Sequence, residues 1–250
     1  MDRYRRQKLF TPLGDGGQRR LQTGKALVVG CGALGGSVAN LLVRAGIGSV
    51  GLMDHDIVEV VNLHRQLLFN ERDLGRRKVD AARDTLLAAD SRADIETFPY
   101  RFDESTAPLV GRFDLLIDGT DNFPTRFLMN RTAIRYGKPF ITAGVCGNAG
   151  QVFTVFPGQT PCLACLIPPT EAFREGEFAI LSPIVQVIAA METSEAIKIL
   201  SGNENAVNRS LFVIDLWTNK TTPLEVARNK NCPVCGHRES EPHREPEPQS

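Results

Sequence analysis

The sequence has no excess of either charge: 29 Lys and Arg residues stand against 29 Asp and Glu in a chain of 250. That balance removes the bulk attraction by which non-specific nucleic-acid and membrane-surface binders hold their partners. No apolar run approaches the length of a membrane span. The start, Met1-Asp2-Arg3-Tyr4-Arg5-Arg6, lacks the apolar core of a secretory signal. No internal repeat is visible. The six cysteines are not spread as a disulfide framework would be. Four fall in two close pairs and Cys31 and Cys146 stand alone, a usage that suits a reducing cytoplasm. What these absences leave is a soluble cytoplasmic chain, long enough to bury a substantial core as one large α/β domain or two small ones.

The cysteine pairs are Cys162-Leu-Ala-Cys165 and Cys232-Pro-Val-Cys235, separated by 66 residues. Pro161, Pro233 and Gly236 give both pairs the turn chemistry of zinc knuckles, and four thiolates complete a tetrahedral Zn²⁺ shell. A closed four-sulfur shell has no open position for substrate, so zinc here is expected to be structural. The separation is too long for an independent finger. The metal is expected to clip the C-terminal end of the chain to a loop in its middle.

Between residues 26 and 145, short apolar runs alternate with amphipathic stretches. Strands are expected at 26–29, 49–53, 95–98, 115–117 and 140–145, and helices at 34–45, 76–89 and 124–136. This alternation predicts a doubly wound, Rossmann-like and mostly parallel α/β sheet. After Gly150 the texture changes. A strand at 151–156, a loop at 168–182, a long apolar helix at 183–200 and antiparallel strands at 211–215 and 224–228 lead into the second knuckle. The segment 237–250 is rich in Glu and Pro and has no apolar content, which predicts disorder.

Gly30-Cys31-Gly32-Ala33-Leu34-Gly35 follows a strand and opens a helix, the arrangement that cradles a phosphate on a helix N-terminus. Asp54, at the end of the next strand, stands where an acidic residue commonly takes ribose hydroxyls. These features imply a nucleotide without saying which. Asn62-Leu63-His64-Arg65-Gln66 and Lys78 then add cations that hydride transfer does not need and cleavage of a triphosphate does. Asp118-Gly119-Thr120-Asp121-Asn122 closes the fourth strand, where open α/β sheets bind ligands. A carboxylate there suits Mg²⁺, and Asp121 or Asn122 can equally cap the helix that follows.

Taken in order, Arg3-Tyr4-Arg5-Arg6-Gln7, the 30–35 loop, Asp54, the 62–66 segment, Lys78, Asp121-Asn122 and both knuckles resemble the ThiF/MoeB/HesA family, bacterial relatives of ubiquitin-activating enzymes. The resemblance covers residues 3–236. It implies one adenylation domain over 1–236, with a nucleotide-binding half at 26–145 and a carrier-binding, zinc-holding half at 150–236. The activity implied is ATP-dependent adenylation of the C-terminal glycine of a ubiquitin-like sulfur carrier, leading to a thiocarboxylate for thiamine or molybdopterin synthesis. The implied ATP contacts are Gly30, Gly32, Ala33, Gly35, Asp54, Asn62, Leu63, His64, Arg65, Gln66, Lys78, Asp121 and Asn122. Asp54 would hold the ribose, Asn62, Arg65 and Lys78 the phosphates, and Asp121 the Mg²⁺. Arg6 resembles the arginine that reaches the ATP of the other protomer, which implies a homodimer.

Three departures stand out. Ala33 replaces a customary glycine and would be strained at positive φ. No cysteine lies between Cys165 and Cys232 to form a covalent link to the carrier through the mobile loop. The sequence carries no rhodanese-like domain, so a separate sulfur donor is expected. Cys31, Cys146 and the Leu67-Leu68-Phe69 run read as buried core or dimer contacts. On the motifs alone, an NAD-linked oxidoreductase, a non-catalytic partner-binding relative and an adenylating enzyme for another substrate all stay open.

Overall fold

The computed structural model describes residues 2–167 and 179–236. Of the loop expected over 168–182, residues 168–178 lie outside the described residues, as does the disorder expected over 237–250. Two short helices, α1 (Arg5–Lys8) and α2 (Gly14–Leu21), precede the alternating region. Then follow β1 (Lys25–Val29), α3 (Ala33–Ala45), β2 (Ser49–Met53), α4 (Lys78–Ala89), β3 (Asp94–Phe98), β4 (Leu115–Asp118), α5 (Phe123–Tyr136) and β5 (Phe140–Cys146). The chain continues through β6 (Ala149–Val155), α6 (Leu163–Leu166), α7 (Ser182–Leu200), β7 (Leu211–Asp215) and β8 (Lys220–Leu224).

The eight strands among the described residues form one sheet in the order β3-β2-β1-β4-β5-β6-β7-β8. The first five run parallel and the last three antiparallel. The run Ala26-Leu27-Val28-Val29 is apolar at every position because both of its faces are covered. Ala26 and Val28 face the core beneath α3, α4 and α7, whereas Leu27 and Val29 face the core beneath α5 and the cysteine pairs. Each such side chain contributes about 1.5–3 kcal/mol on burial. Among the described residues, no helix is long and apolar enough to cross a membrane.

Two expectations are corrected. The last strand is Lys220–Leu224, not 224–228. Asn219 adopts a left-handed conformation at φ 55 and closes a tight turn, so Lys220 already pairs with Asp215. The ladder ends where β7 begins, at Leu211 opposite Leu224, and 225–228 has no strand left to join. Cys146 is exposed rather than buried, at the end of β5. The N-terminal helices gave no periodic signal and are held by polar contacts. Gln7 and Gln18 both donate to the Ala45 carbonyl at the end of α3, and Arg3 pairs with Asp90 at 2.7 Å just past α4.

Candidate functional site

The strand order reverses between β1 and β4, and the C-terminal ends of β1, β2 and β4 open into one crevice there. Gly30 leaves β1 at φ 90, with its N–H bonded to the Met53 carbonyl at 2.7 Å. A side chain on Gly30 would run into the Gly119 carbonyl, and one on Gly35 would overlap the Gly30 carbonyl. Glycine therefore permits the loop after β1 and the turn after β4 to touch. Gly32 precedes α3 and offers no capping side chain, so the first N–H groups of α3 are left for an anion. Ala33 is the first residue of α3. Asn219 is the only non-glycine at positive φ among the described residues, so the strain considered for Ala33 does not arise.

Asp54 is 8 % exposed and accepts the Cys31 N–H at 2.7 Å and the Asp56 N–H at 2.8 Å. It thus ties the glycine loop to the exit of β2. Cys31 is fully buried, and burial pushes its thiol well up, which makes it inert packing. Asp56 gave no signal in the sequence, yet it pairs with Lys78 Nζ at 3.0 Å and lies 3.1 Å from His55 Nε2. Partial burial alone would raise the Asp56 carboxyl, but the hydrogen bond and charge of Lys78 outweigh it and hold it below the usual carboxylate range. Asp54, His55 and Asp56 bring ligand atoms within 4.8 Å of one another.

Asn62 is buried, and its side-chain oxygen accepts the Glu59 N–H at 3.1 Å. Leu63 is half-buried, whereas His64 is exposed. Arg65 Nη1 donates to the Val61 carbonyl and lies 2.9 Å from His64 Nε2. Gln66 is buried with its Oε1 unpartnered, and its Nε2 lies beside Gly32. Of the Leu67-Leu68-Phe69 run, Leu68 and Phe69 are buried and Leu67 is exposed.

The 118–122 turn is braced from below. Asp118 is fully buried and accepts the Thr120 N–H at 2.9 Å, the Thr120 hydroxyl at 2.6 Å and the Thr142 hydroxyl at 2.7 Å. Arg126 Nε stands 2.6 Å from its Oδ2, a close ion pair off the line of a straight hydrogen bond. Arg126 Nη2 donates to the Thr120 carbonyl at 2.6 Å. The turn leaves Asp121 exposed, and Asn122 caps α5 by accepting the Thr125 N–H at 3.0 Å. Arg6 is not brought to this crevice. It sits exposed on α1, against the far end of α3, about 20 Å from the glycine loop at 1.5 Å per helical residue.

Behind the brace lies Glu192 of α7, fully buried with neither carboxyl oxygen hydrogen-bonded. Burial first, then the negative charge of Asp118, push its carboxyl well above the usual range despite the opposing charge of Arg126. An acid raised in this way binds its proton more tightly folded than unfolded. Its penalty is absent below the ordinary carboxyl range and grows as pH rises through it. Glu192→Gln should raise the unfolding temperature at about pH 7.5 and leave it unchanged near pH 4, at about 2–4 °C per kcal/mol recovered. A loss of stability at both pH values would refute this.

On the same face as α5, the four paired cysteines converge, with all Sγ atoms within 4.8 Å. The Cys162–Cys232 and Cys165–Cys235 separations are 3.7 and 3.4 Å. A tetrahedron with metal–sulfur bonds of about 2.3 Å has edges of about 3.8 Å. Burial raises the thiols of Cys162 and Cys165. Burial would raise Cys232 too, but the N–H groups of Cys235 and Val234 bring it down to about 7.

The profile of the ThiF family matches residues 4–234. The sulfur carrier protein ThiS adenylyltransferase of Bacillus subtilis is 38 % identical over 242 residues, which cover 94 % of this chain and 71 % of that protein. The sulfur carrier protein adenylyltransferase of Thermus thermophilus is 36 % identical over 247 residues, covering 94 % and 91 %. The crystal structure of E. coli MccB superposes with a TM-score of 0.85 at 25 % identity, covering 98 % of this chain and 75 % of that one. The chain belongs to the ThiF family.

Proposed function

We propose that the chain is an ATP-dependent adenylyltransferase that activates the C-terminal glycine carboxylate of a ubiquitin-like sulfur carrier. The observation that carries this reading is the crevice at the ends of β1, β2 and β4. It gathers an anion-binding helix start, the Lys78–Asp56 pair and the exposed Asp121, in a chain whose relatives include two sulfur carrier adenylyltransferases. ATP phosphates rest on the α3 N-terminus, with Gly30, Gly32, Ala33 and Gly35 allowing close approach, and Asp54 receives the ribose. Asn62, Arg65 and Lys78 hold the phosphates, and Leu63, His64, Gln66 and Asn122 complete the walls.

Asp121 fits Mg²⁺: it is an exposed hard-oxygen donor on a turn held rigid from below, and the metal would neutralise phosphate charge there. The four cysteines fit Zn²⁺ by sulfur count and spacing, and the closed shell makes that metal structural. A carrier carboxylate oxygen attacks the α-phosphorus, the bond to the pyrophosphate oxygen breaks, and the electron pair leaves with pyrophosphate. No proton moves, so no general base is needed, and positioning supplies much of the rate. Arg65 and Lys78 stabilise the charge that develops on the leaving group. No cysteine lies between Cys165 and Cys232, so a loop thiol does not capture the acyl-adenylate. A separate donor supplies sulfur for thiamine or molybdopterin synthesis in the cytoplasm. Residues 26–145 and 150–236 serve as nucleotide and carrier halves of one adenylation domain, 1–236.

The test is ATP–pyrophosphate exchange with Gly-Gly-ended carriers from the same cell; no exchange with any of them sinks the reading. Arg6 completes the site of a second copy, because α1 is anchored too far from its own crevice. Exposed Leu9, Phe10, Val60, Val61 and Leu67 supply apolar surface for that contact. Arg6→Ala and Arg65→Ala proteins should each be inactive, and mixing them should restore part of the activity. A monomer by sedimentation, or no rescue on mixing, would count against the composite site.

A further inference from the structure

The two cysteine pairs hold their first sulfurs in different ways. The second pair uses its own backbone, with the N–H groups of Val234 and Cys235 turned on the Cys232 sulfur. The first pair does not do this for Cys162. Cys162 stands at the N-terminal cap of α6, and its side chain takes no N–H from that helix. The Cys165 and Leu166 N–H groups go instead to the Cys162 carbonyl, at 2.9 and 3.3 Å. The Leu163 N–H leaves the knuckle altogether and donates to Asn130 Oδ1 on α5 at 3.0 Å. Helical turns at the first pair thus spend the donors that the second pair turns on its sulfur.

Asn130 is fully buried. Accepting the Leu163 N–H settles which end of its amide is oxygen, because an amide nitrogen only donates. The Nδ2 end is therefore turned the other way, and it has no nitrogen or oxygen acceptor among the described residues. A buried donor without an acceptor is costly. The Cys162 sulfur is the acceptor at hand, and Cys162 is fully buried too. Burial raises the Cys162 thiol, and hydrogen bonding from the Asn130 side chain pulls the other way. Its Sγ lies 3.7 Å from that of Cys232, on an edge of the cysteine cluster. A thiolate bound to Zn²⁺ is charged, which makes it a stronger acceptor than the thiol.

We propose that Asn130 is a positioning residue of the cysteine cluster: its Nδ2 donates to the metal-bound Cys162 thiolate while its Oδ1 holds the Leu163 backbone. The inference rests on the zinc reading above. One amide thereby orients the first knuckle on α5 and takes up part of the sulfur's charge. That charge matters because four thiolates outweigh one Zn²⁺, and the cluster belongs to the core on the α5 side. Outer partners of this kind fix ligand orientation and tune the metal.

Asn130→Asp keeps an oxygen for the Leu163 N–H and replaces the amide donor, whereas Asn130→Ala removes both. In the full chain, reduced and stripped of metal, each variant should bind Zn²⁺ about 10- to 100-fold more weakly than wild type in competition with a chromophoric chelator. Cobalt reports the hydrogen bond itself. Loss of an N–H donor raises the sulfur lone pairs in energy, so the sulfur-to-cobalt charge-transfer band of the Co²⁺-loaded variants should move to longer wavelength. A role confined to holding α6 would weaken binding and leave the band of the loaded protein in place. The wild type gives a measurement that depends on no variant folding: loaded with an NMR-active cadmium isotope, it should show scalar coupling from an Asn130 side-chain amide proton to the metal through the sulfur. A band unmoved in both variants, or an Asn130 amide without coupling to cadmium, would overturn the donor and leave the zinc reading intact. Wild-type protein that takes up neither Zn²⁺ nor Co²⁺ would remove the zinc reading itself, and the donor with it.

Discussion

Asp121→Ala should reduce carrier-dependent ATP–pyrophosphate exchange by about 100-fold or more, a loss typical of removing a group that steadies developing charge, and leave the unfolding temperature unchanged. The two effects separate because the turn divides its tasks among neighbouring residues. Asp118 holds the turn through Thr120, Thr142 and Arg126, and Asn122 caps α5. Asp121 makes no hydrogen bond or ion pair among the described residues and is exposed. Its carboxylate is thus free for a metal–phosphate contact. Asp121→Asn should fail similarly, because a neutral amide is a poor Mg²⁺ ligand at a site that keeps several waters. Asp118→Ala should instead lower stability, since Arg126 would be left buried without its counter-ion. Exchange kinetics, a Mg²⁺ titration and thermal melts decide the matter. Activity within threefold of wild type in Asp121→Ala would move the metal elsewhere, and the Asp54-His55-Asp56 group is the alternative.

The same turn shows what was legible in sequence. Asp118-Gly-Thr-Asp-Asn stood out because an apolar strand ended in carboxylates at the edge where α/β sheets bind ligands. The glycine loop and both knuckles stood out through spacing, since their chemistry is local. Arg126 and Glu192 did not. Each sits within a helical pattern that looks like any other charged position, and only the sheet brings both near Asp118. Asp56 was hidden in the same way, because its partner Lys78 is 22 residues further on. Elements driven by apolar periodicity were placed to within a residue or two. The last strand was misplaced because its residues are all exposed and carry no alternation, so the turn at Asn219 alone decides the register. Helices α1 and α2 were missed because glutamine and tyrosine contacts hold them, not an apolar stripe.

The polar brace under the turn also explains why a mixed set of charges can sit inside this fold. Asp118 and Arg126 form an ion pair, and burial with the charge of Asp118 pushes the Glu192 carboxyl well above its usual range, which disfavours a second negative charge in the cluster. Breaking any one partner leaves an uncompensated group in a dry place, which is costly where the intact pair contributes little net stability.

Stripping zinc should damage carrier use far more than ATP binding. The chain from 225 to 236 pairs with no strand among the described residues. It is held by the cysteine cluster and by Arg228, which donates to the Gly158 and Cys235 carbonyls. The first knuckle is held from the other side, where the Leu163 N–H donates to Asn130 on α5 at 3.0 Å. A metal held by both pairs would fasten this strandless segment onto the α5 face. Binding energy for a four-sulfur zinc site is large, about 10 kcal/mol or more in isolated fingers, and part of it appears as folding stability. Chelation, or Cys232→Ser, should lower the unfolding temperature by about 10 °C or more at 2–4 °C per kcal/mol. The parallel strands keep their own core on the α3, α4 and α7 side, so ATP affinity should change only a few-fold. The α5 side is different, because Leu163 and Leu166 of the first knuckle are part of its core. Loosening them unsettles the side proposed to hold the carrier, so carrier-dependent exchange should fall about 10-fold or more, the effect of losing about 1.4 kcal/mol of positioning. Elemental analysis showing no zinc in the purified protein would end this argument. Equal loss of ATP binding and carrier use would mean that the metal holds the whole fold and not the carrier side alone.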